Sequence, residues 1–282
     1  MINNSDIFST PILFLVFNRF STTQKVFKEI KKIQPPRIYI ASDGPRANIS
    51  NEFQKVQEIR NYILQNIDWD CEVMTLFRDT NLGCKLAVSQ AIDWFFKNEE
   101  MGIVLEDDCL PSQSFFWFCQ DLLQHYKDDN RIFLINGYNH QKQWKHDQHD
   151  YFFSLLGGIW GWASWRRAWD HYDVEMKDIN QFIEKNGFVN VLGKNLGNLK
   201  QKMIYDGIFV NKLDSWALQW GYARHKNNAL TCIPSKSLIE NIGFGEDATH
   251  TNDINIRQVK HNEINRKLRE NIILESDIKY DE

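Results

Sequence analysis

The chain has 282 residues, 43% of them hydrophobic, which is enough to bury a substantial core as one large α/β domain, the preferred reading, or as two smaller ones. Its 33 Lys and Arg stand against 37 acids, and the net charge of −4 gives no electrostatic reason for a nucleic-acid partner. Five cysteines, Cys71, Cys84, Cys109, Cys119 and Cys232, contain no CxxC pair and leave one over in any disulfide scheme, so they read as free thiols of a reducing compartment.

In chain order, "PILFLVFNR" reads as a strand followed by polar residues. The apolar part is short, has no basic region before it and runs into Asn18-Arg19, so it is read as neither signal peptide nor membrane span, and a cytoplasmic protein is expected. "STTQKVFKEIKKI" then offers Ser21, Thr22 and Thr23 as helix caps and places Val26, Phe27, Ile30 and Ile33 at helical spacing. "RIYIASDGPR" reads as a strand and turn, "NEFQKVQEIRNYILQNI" as a helix, "CEVMTLFRD" as a strand and "NLGCKLAVSQAIDWFFKN" as a helix. Met101 to Leu105 have the length and β-branching of a strand buried on both faces. This alternation predicts a doubly wound, mostly parallel sheet flanked by helices.

Directly after that last strand stand three consecutive acids, Glu106, Asp107 and Asp108. In open α/β sheets the carboxyl ends of the strands form the ligand edge, and clustered oxygens are what hard cations such as Mn²⁺ or Mg²⁺ require. A metal at Asp108 would bridge phosphate oxygens and neutralise a departing diphosphate. The competing reading is that the acids cap a helix beginning near Pro111-Ser112.

Beyond Pro111, "SFFWFCQDLLQHY" reads as a helix and "RIFLINGYN" as a strand. A polar loop, a Gly- and Trp-rich stretch "FFSLLGGIWGWASWRRAWDHYD", and helices over residues 176 to 210 joined by Asn-Gly turns follow. "KLDSWALQWGYARHKN" is a further helix, "ENIGFGEDATHT" a Gly-rich loop, and the charged end a helical tail.

Three other groupings carry chemistry. Arg19 after the first strand suits a phosphate, and Asp43 after the second could accept from a base N–H, although Asp-Gly-Pro is also an ordinary turn. Asp214, a lone carboxylate among Trp216 and Trp220, is either a general base toward an acceptor hydroxyl or a cap for its own helix. His146, Asp147, His149 and Asp150 look like a metal cluster but read better as a solvated loop, whereas His250 could fold back toward the acids as a distant ligand. No Walker, GxGxxG, GxSxG or HExxH signature is present.

The succession "PILFLVFNR", "YIASDGPR", "NLGCKLAV", "IVLEDDCLPS" resembles the nucleotide-sugar half of GT-A glycosyltransferases, notably the N-acetylglucosaminyltransferase I type and bacterial sugar transferases of similar build. The resemblance implies a GT-A fold, Rossmann-like with a mostly parallel sheet, over about residues 1–260, split into a nucleotide-sugar half of about 1–135 and an aromatic-rich acceptor half of about 136–260, with 261–282 as tail. It implies Asp108 as ligand of Mn²⁺ or Mg²⁺, with His250 as a further candidate. Glu106, Asp107, Arg19, Asp43 and Lys85 would stand on the nucleotide-sugar side, Asp214 would be the base, and Trp160, Trp162 and Trp216 would face the acceptor. The expected activity is inverting transfer from a UDP-sugar to a glycan or glycolipid in bacterial surface polysaccharide or lipooligosaccharide synthesis, with membrane contact only through a lipid-linked acceptor. The competing activities are a sugar-nucleotide nucleotidyltransferase and a non-catalytic glycan-binding module.

Overall fold

A computed structural model describes residues 7–141 and 149–244. The first half alternates as expected: β1 (Ile12–Val16), α1 (Phe20–Ile33), β2 (Arg37–Ser42), α2 (Glu52–Asn66), β3 (Glu72–Phe77), α3 (Gly83–Asn98) and β4 (Met101–Glu106). The second half is β5 (Cys109–Pro111), α4 (Gln113–His125), β6 (Ile132–Asn136), β7 (Tyr151–Ser154), β8 (Trp162–Trp165), α5 (Arg166–Trp169), α6 (Ile179–Glu184), α7 (Gly187–Leu192) and α8 (Lys194–Tyr205). A π-helical turn (Asp206–Val210), α9 (Ala217–Lys226), β9 (Leu230–Pro234) and β10 (Ile239–Asn241) complete it.

The main sheet has the order β3-β2-β1-β4-β8-β6-β9-β7. Pairing is parallel from β3 through β4 and between β6 and β9, and antiparallel where β8 enters between β4 and β6 and where β7 closes the edge. The expected α/β class with helices on both faces is therefore present. Its cause is visible in β1, where every residue is apolar: Ile12, Phe14 and Val16 face α1, α2 and α4, while Leu13 and Leu15 face α3, α5 and α9. On α1 the predicted stripe of Val26, Phe27 and Ile30 is fully buried, each contributing about 1.5–3 kcal/mol by burial. β5 and β10 form a small antiparallel pair beyond the carboxyl edge.

Several local expectations are corrected. Only Phe17–Arg19 separate β1 from α1, so Arg19 holds the cap position and Ser21, Thr22 and Thr23 fall inside the first turn. The hydroxyls of Thr22 and Thr23 donate back to the Arg19 carbonyl. Nor do the three acids cap the helix after Pro111, because β5 intervenes and Ser112 occupies the cap position of α4.

Trp162 and Trp216, expected to face an acceptor, are core residues at 0% and 2% exposure. Their rings stack at 5.8 Å, and with Trp169 and Trp220 they fill the layer between the sheet and α9. Trp160 alone of the three stays half-exposed, packed on Tyr138 at 4.6 Å and against Phe244. His146, Asp147, His250 and the 261–282 tail lie outside the described residues. All five cysteines are free thiols. Among the described residues no helix is long and apolar enough to cross a membrane.

Candidate active site at the carboxyl edge of the sheet

Because β1, β2 and β4 run parallel, their carboxyl ends deliver Arg19, Asp43 and the three acids to one edge. Arg19 Nη1 donates to Asp108 Oδ2 at 3.0 Å, and both side chains remain partly open to solvent. Asp107 is buried and accepts from the Phe17 N–H at 3.3 Å. Glu106 is the last residue of β4, in register with Leu15 of β1. Burial, then the charge of Asp108, then that of Asp107 push the Glu106 carboxyl up. Asp107 is raised by burial and then by Asp108, with Arg19 opposing both shifts. The acid triplet thus carries more acid than Arg19 offsets, a charge balance that a bound cation would relieve.

Asp108 is set from behind by the last strand. The Ile242 N–H donates to its carbonyl at 2.8 Å, and a Cβ placed on Gly243 would come within 2.2 Å of Asp108 Oδ2. Gly243→Ala therefore has to displace the carboxylate. We expect any activity that depends on the Asp108 carboxylate to fall by up to about 10²-fold, the scale of a misplaced reactive group, with little change in the melting curve. Wild-type activity in this variant would show that the position of Asp108 is not critical. Gly243 sits in the Gly-rich segment that sequence reasoning valued only for His250.

The donor set decides what kind of cation fits. Among the described residues no three His, Cys, Asp or Glu side chains converge as a metal cage. Asp108, with one carboxylate oxygen on Arg19 and the other beside the Cys109 thiol, suits a hard ion that brings most of its ligands as phosphate oxygens and water.

The second feature of the edge is the N-terminus of α3, which is capped from outside its own helix. Asp43 accepts from the N–H groups of Leu82 and Gly83, and Asp214 from those of Cys84 and Lys85 at 2.6 and 2.8 Å. Two carboxylates thereby satisfy the four leading amides of the helix and meet the positive end of its dipole. Gly83 makes room for this: its φ is 78°, and a Cβ would lie 2.5 Å from Asp214 Oδ2.

These contacts revise two assignments. Asp43 also accepts from the Gly44 N–H and from Asn81 Nδ2, so its lone pairs are filled by the chain itself and are not left for a nucleobase. Burial pushes its carboxyl up against the pull of those amides. Asp214 does not cap its own helix, since α9 starts only at Ala217 with Trp216 in the cap position. The Lys85 ammonium reaches Glu175 at 3.8 Å, and its backbone N–H is the group turned toward the site.

Cys84 ties the two features together. Burial first, then the charges of Glu106, Asp214 and Asp43, push its thiol up to about 12. Asp214 accordingly shares one edge with the acid triplet, although 106 residues separate Asp214 from Asp108. The neighbouring loops are locked by Glu52, 1% exposed, which takes a forked ion pair from Arg46 and a hydrogen bond from Asn18. Glu52 is held below the usual carboxylate range chiefly by Arg46. Sequence reasoning missed Glu52, which lies in no recognisable motif, and gave no role to Asn81 and Cys84, although both stand in "NLGCKLAV".

No protein-family model matches the chain, and no curated protein matches it. Among solved structures it is similar to the glycosyltransferase GlyE of Streptococcus pneumoniae TIGR4, at 12% identity and TM-score 0.34, over 70% of this chain and 43% of that one. It is also similar to a UDP-glucose pyrophosphorylase complexed with UDP-glucose, at 11% identity and TM-score 0.37, over 84% and 94%. A third is HddC from Yersinia pseudotuberculosis complexed with GMP-PN, at 11% identity and TM-score 0.33, over 56% and 77%. Likeness this loose carries no argument beside the geometry of the edge.

Proposed function

We propose that the protein is a GT-A-type glycosyltransferase that inverts configuration while moving a sugar from a nucleotide-sugar, UDP-linked in our reading, to a glycan hydroxyl. The observation that carries this reading is the Arg19–Asp108 pair at the carboxyl edge, backed by the half-buried Glu106 and the buried Asp107. A cation held by Asp108 would supply charge neutralisation for the departing diphosphate. Arg19 binds and orients the same diphosphate with a planar, permanently charged fork. Asp214 takes the proton of the acceptor hydroxyl, which attacks the anomeric carbon in line, and a single displacement inverts it. Trp160 is the aromatic face left for an acceptor ring.

The β1–α1 connection argues against a nucleotidyltransferase. Phe17–Arg19 provide three residues and no glycine, too little backbone to cradle a triphosphate. The test is a panel of UDP-sugars with Mn²⁺, scored for transfer and slow hydrolysis. Pyrophosphate release from UTP and a sugar 1-phosphate, with no use of any UDP-sugar, would overturn the transferase reading.

Arg19→Ala separates a phosphate contact from a structural one. UDP affinity is expected to fall by about 1.5–3 kcal/mol, the worth of a hydrogen bond to a charged group, while uridine binds as before. Calorimetry with both ligands measures it, and equal losses would show that Arg19 supports the loop and not the diphosphate.

A further inference from the structure

A site of positive charge, distinct in its lining residues from the acid triplet, lies between the Gly-rich segment before β8 and helices α8 and α9. Gly157, Gly158, Ile159, Lys200, Gly221 and Arg224 help line a cavity of about 200 Å³. That is more than ten times the roughly 10–15 Å³ a single water needs, so it admits a group of several heavy atoms.

Arg224 is 4% exposed and, among the described residues, has no carboxylate against it. Nη1 donates to Thr231 Oγ1 and Nη2 to the Gly157 carbonyl, both at 3.0 Å, and the buried Nε has no partner. Lys200, half-buried on α8, is the next cation, and among the described residues no acid offsets either charge. Burial lowers Arg224 only to about 10, and burial with Arg224 lowers Lys200 to about 8, so both keep their protons near neutrality. His225 beside them is neutral, held down to about 3 by burial and then by the two cations.

Burying a guanidinium without a counter-charge costs several kcal/mol, and an arginine cannot shed the cost by deprotonating. Two hydrogen bonds to neutral oxygens hold its geometry and leave its charge uncompensated. Glycine lines the cavity where side chains would close it: a Cβ on Gly157 would lie 2.9 Å from Arg224 Nη1, and one on Gly221 would project into open space.

We infer that this cavity is a binding site for a phosphate-class dianion, held by Arg224 at its floor and Lys200 at its rim. Its ligand chemistry is a tetrahedral oxyanion matched to a forked donor and a point charge. The residues Ala217 and Leu218, which also line it, follow Asp214 within four positions. As the subsite for a phosphorylated acceptor it rests on the transferase reading; as an anion site it does not.

The test uses the full chain without nucleotide or divalent cation, titrated with inorganic phosphate at constant ionic strength by calorimetry and thermal melting. One saturable site and a rise in melting temperature are expected. Lys200→Gln, on the half-buried rim, should weaken phosphate about tenfold or more. Arg19→Ala should leave phosphate binding unchanged, and UDP binding with Mn²⁺ should be unchanged in Lys200→Gln. Arg224→Gln should abolish the phosphate site, and if it fails to fold, the Lys200 variant decides. Absence of saturable binding, or equal binding by Lys200→Gln, overturns the site. Loss in Arg19→Ala instead would put the anion at the diphosphate position and overturn it equally. Acetate binding as tightly as phosphate would overturn the dianion assignment. A hexose phosphate binding more tightly than inorganic phosphate supports the site and names a phosphorylated glycan as its source; the reverse supports it as a site for the free anion.

Discussion

Asp214→Asn is expected to lower sugar transfer by about 10²-fold or more, the usual share of general acid–base catalysis, while UDP still binds with Mn²⁺. The substitution also touches the fold, because Asp214 takes the N–H groups of Cys84 and Lys85 with its two oxygens. Asparagine keeps one acceptor and turns an amide N–H toward the other donor. One cap hydrogen bond is lost, and stability should fall by about 1–2 kcal/mol. The assays therefore belong well below the melting transition, where that loss leaves the population folded and any fall in turnover is chemical. Wild-type transfer by a folded variant would leave Asp214 as the cap of α3 alone and send the search for the base to other carboxylates of the edge.

Asp108→Asn should remove the cation-dependent part of UDP binding, a loss of about 30-fold or more for one charged ligand. Arg19 gives the prediction a second arm. In the wild type its guanidinium is ion-paired with Asp108 Oδ2 at 3.0 Å, and the amide removes the charge of that partner. UDP binding without metal should then hold or strengthen, since Asp108 no longer competes with the diphosphate for the guanidinium's charge. Titrations of UDP with Mn²⁺ and with a chelator, on both proteins, measure the two effects. An Mn²⁺-dependent affinity that survives the substitution would sink the metal assignment at this residue.

The legible part of the fold was its periodicity. Continuous apolar runs at Ile12–Val16 and at residues 101–105, separated by helical stripes, specify strands covered on both faces, and those are β1 and β4. Arg19 and the acid triplet were legible for the same reason: a residue that follows a parallel strand must emerge at the carboxyl edge. Short-range rules fared worse where distant partners competed. Ser21, Thr22 and Thr23 looked like caps, yet the three-residue connection forces α1 to begin before them. The tryptophans looked alike in sequence, and only packing divides Trp160 from the buried Trp162 and Trp216.

By itself the sequence determined the strand and helix order from β1 to β4, the parallel half of the sheet and the delivery of Arg19 and Asp108 to one edge, while β5, β7, β8, β9 and β10 were not legible in it. These follow from residue spacing, a property of neighbours along the chain. The tertiary structure alone decided what meets across the chain. It set Asp43 and Asp214 on the amides of α3, and Gly243 behind Asp108. It also left Arg224 in a cavity where, among the described residues, no acid offsets its charge. The physical reason is that a backbone amide or a buried cation takes whichever partner the packing brings within about 3 Å, and no local pattern records which partner that is.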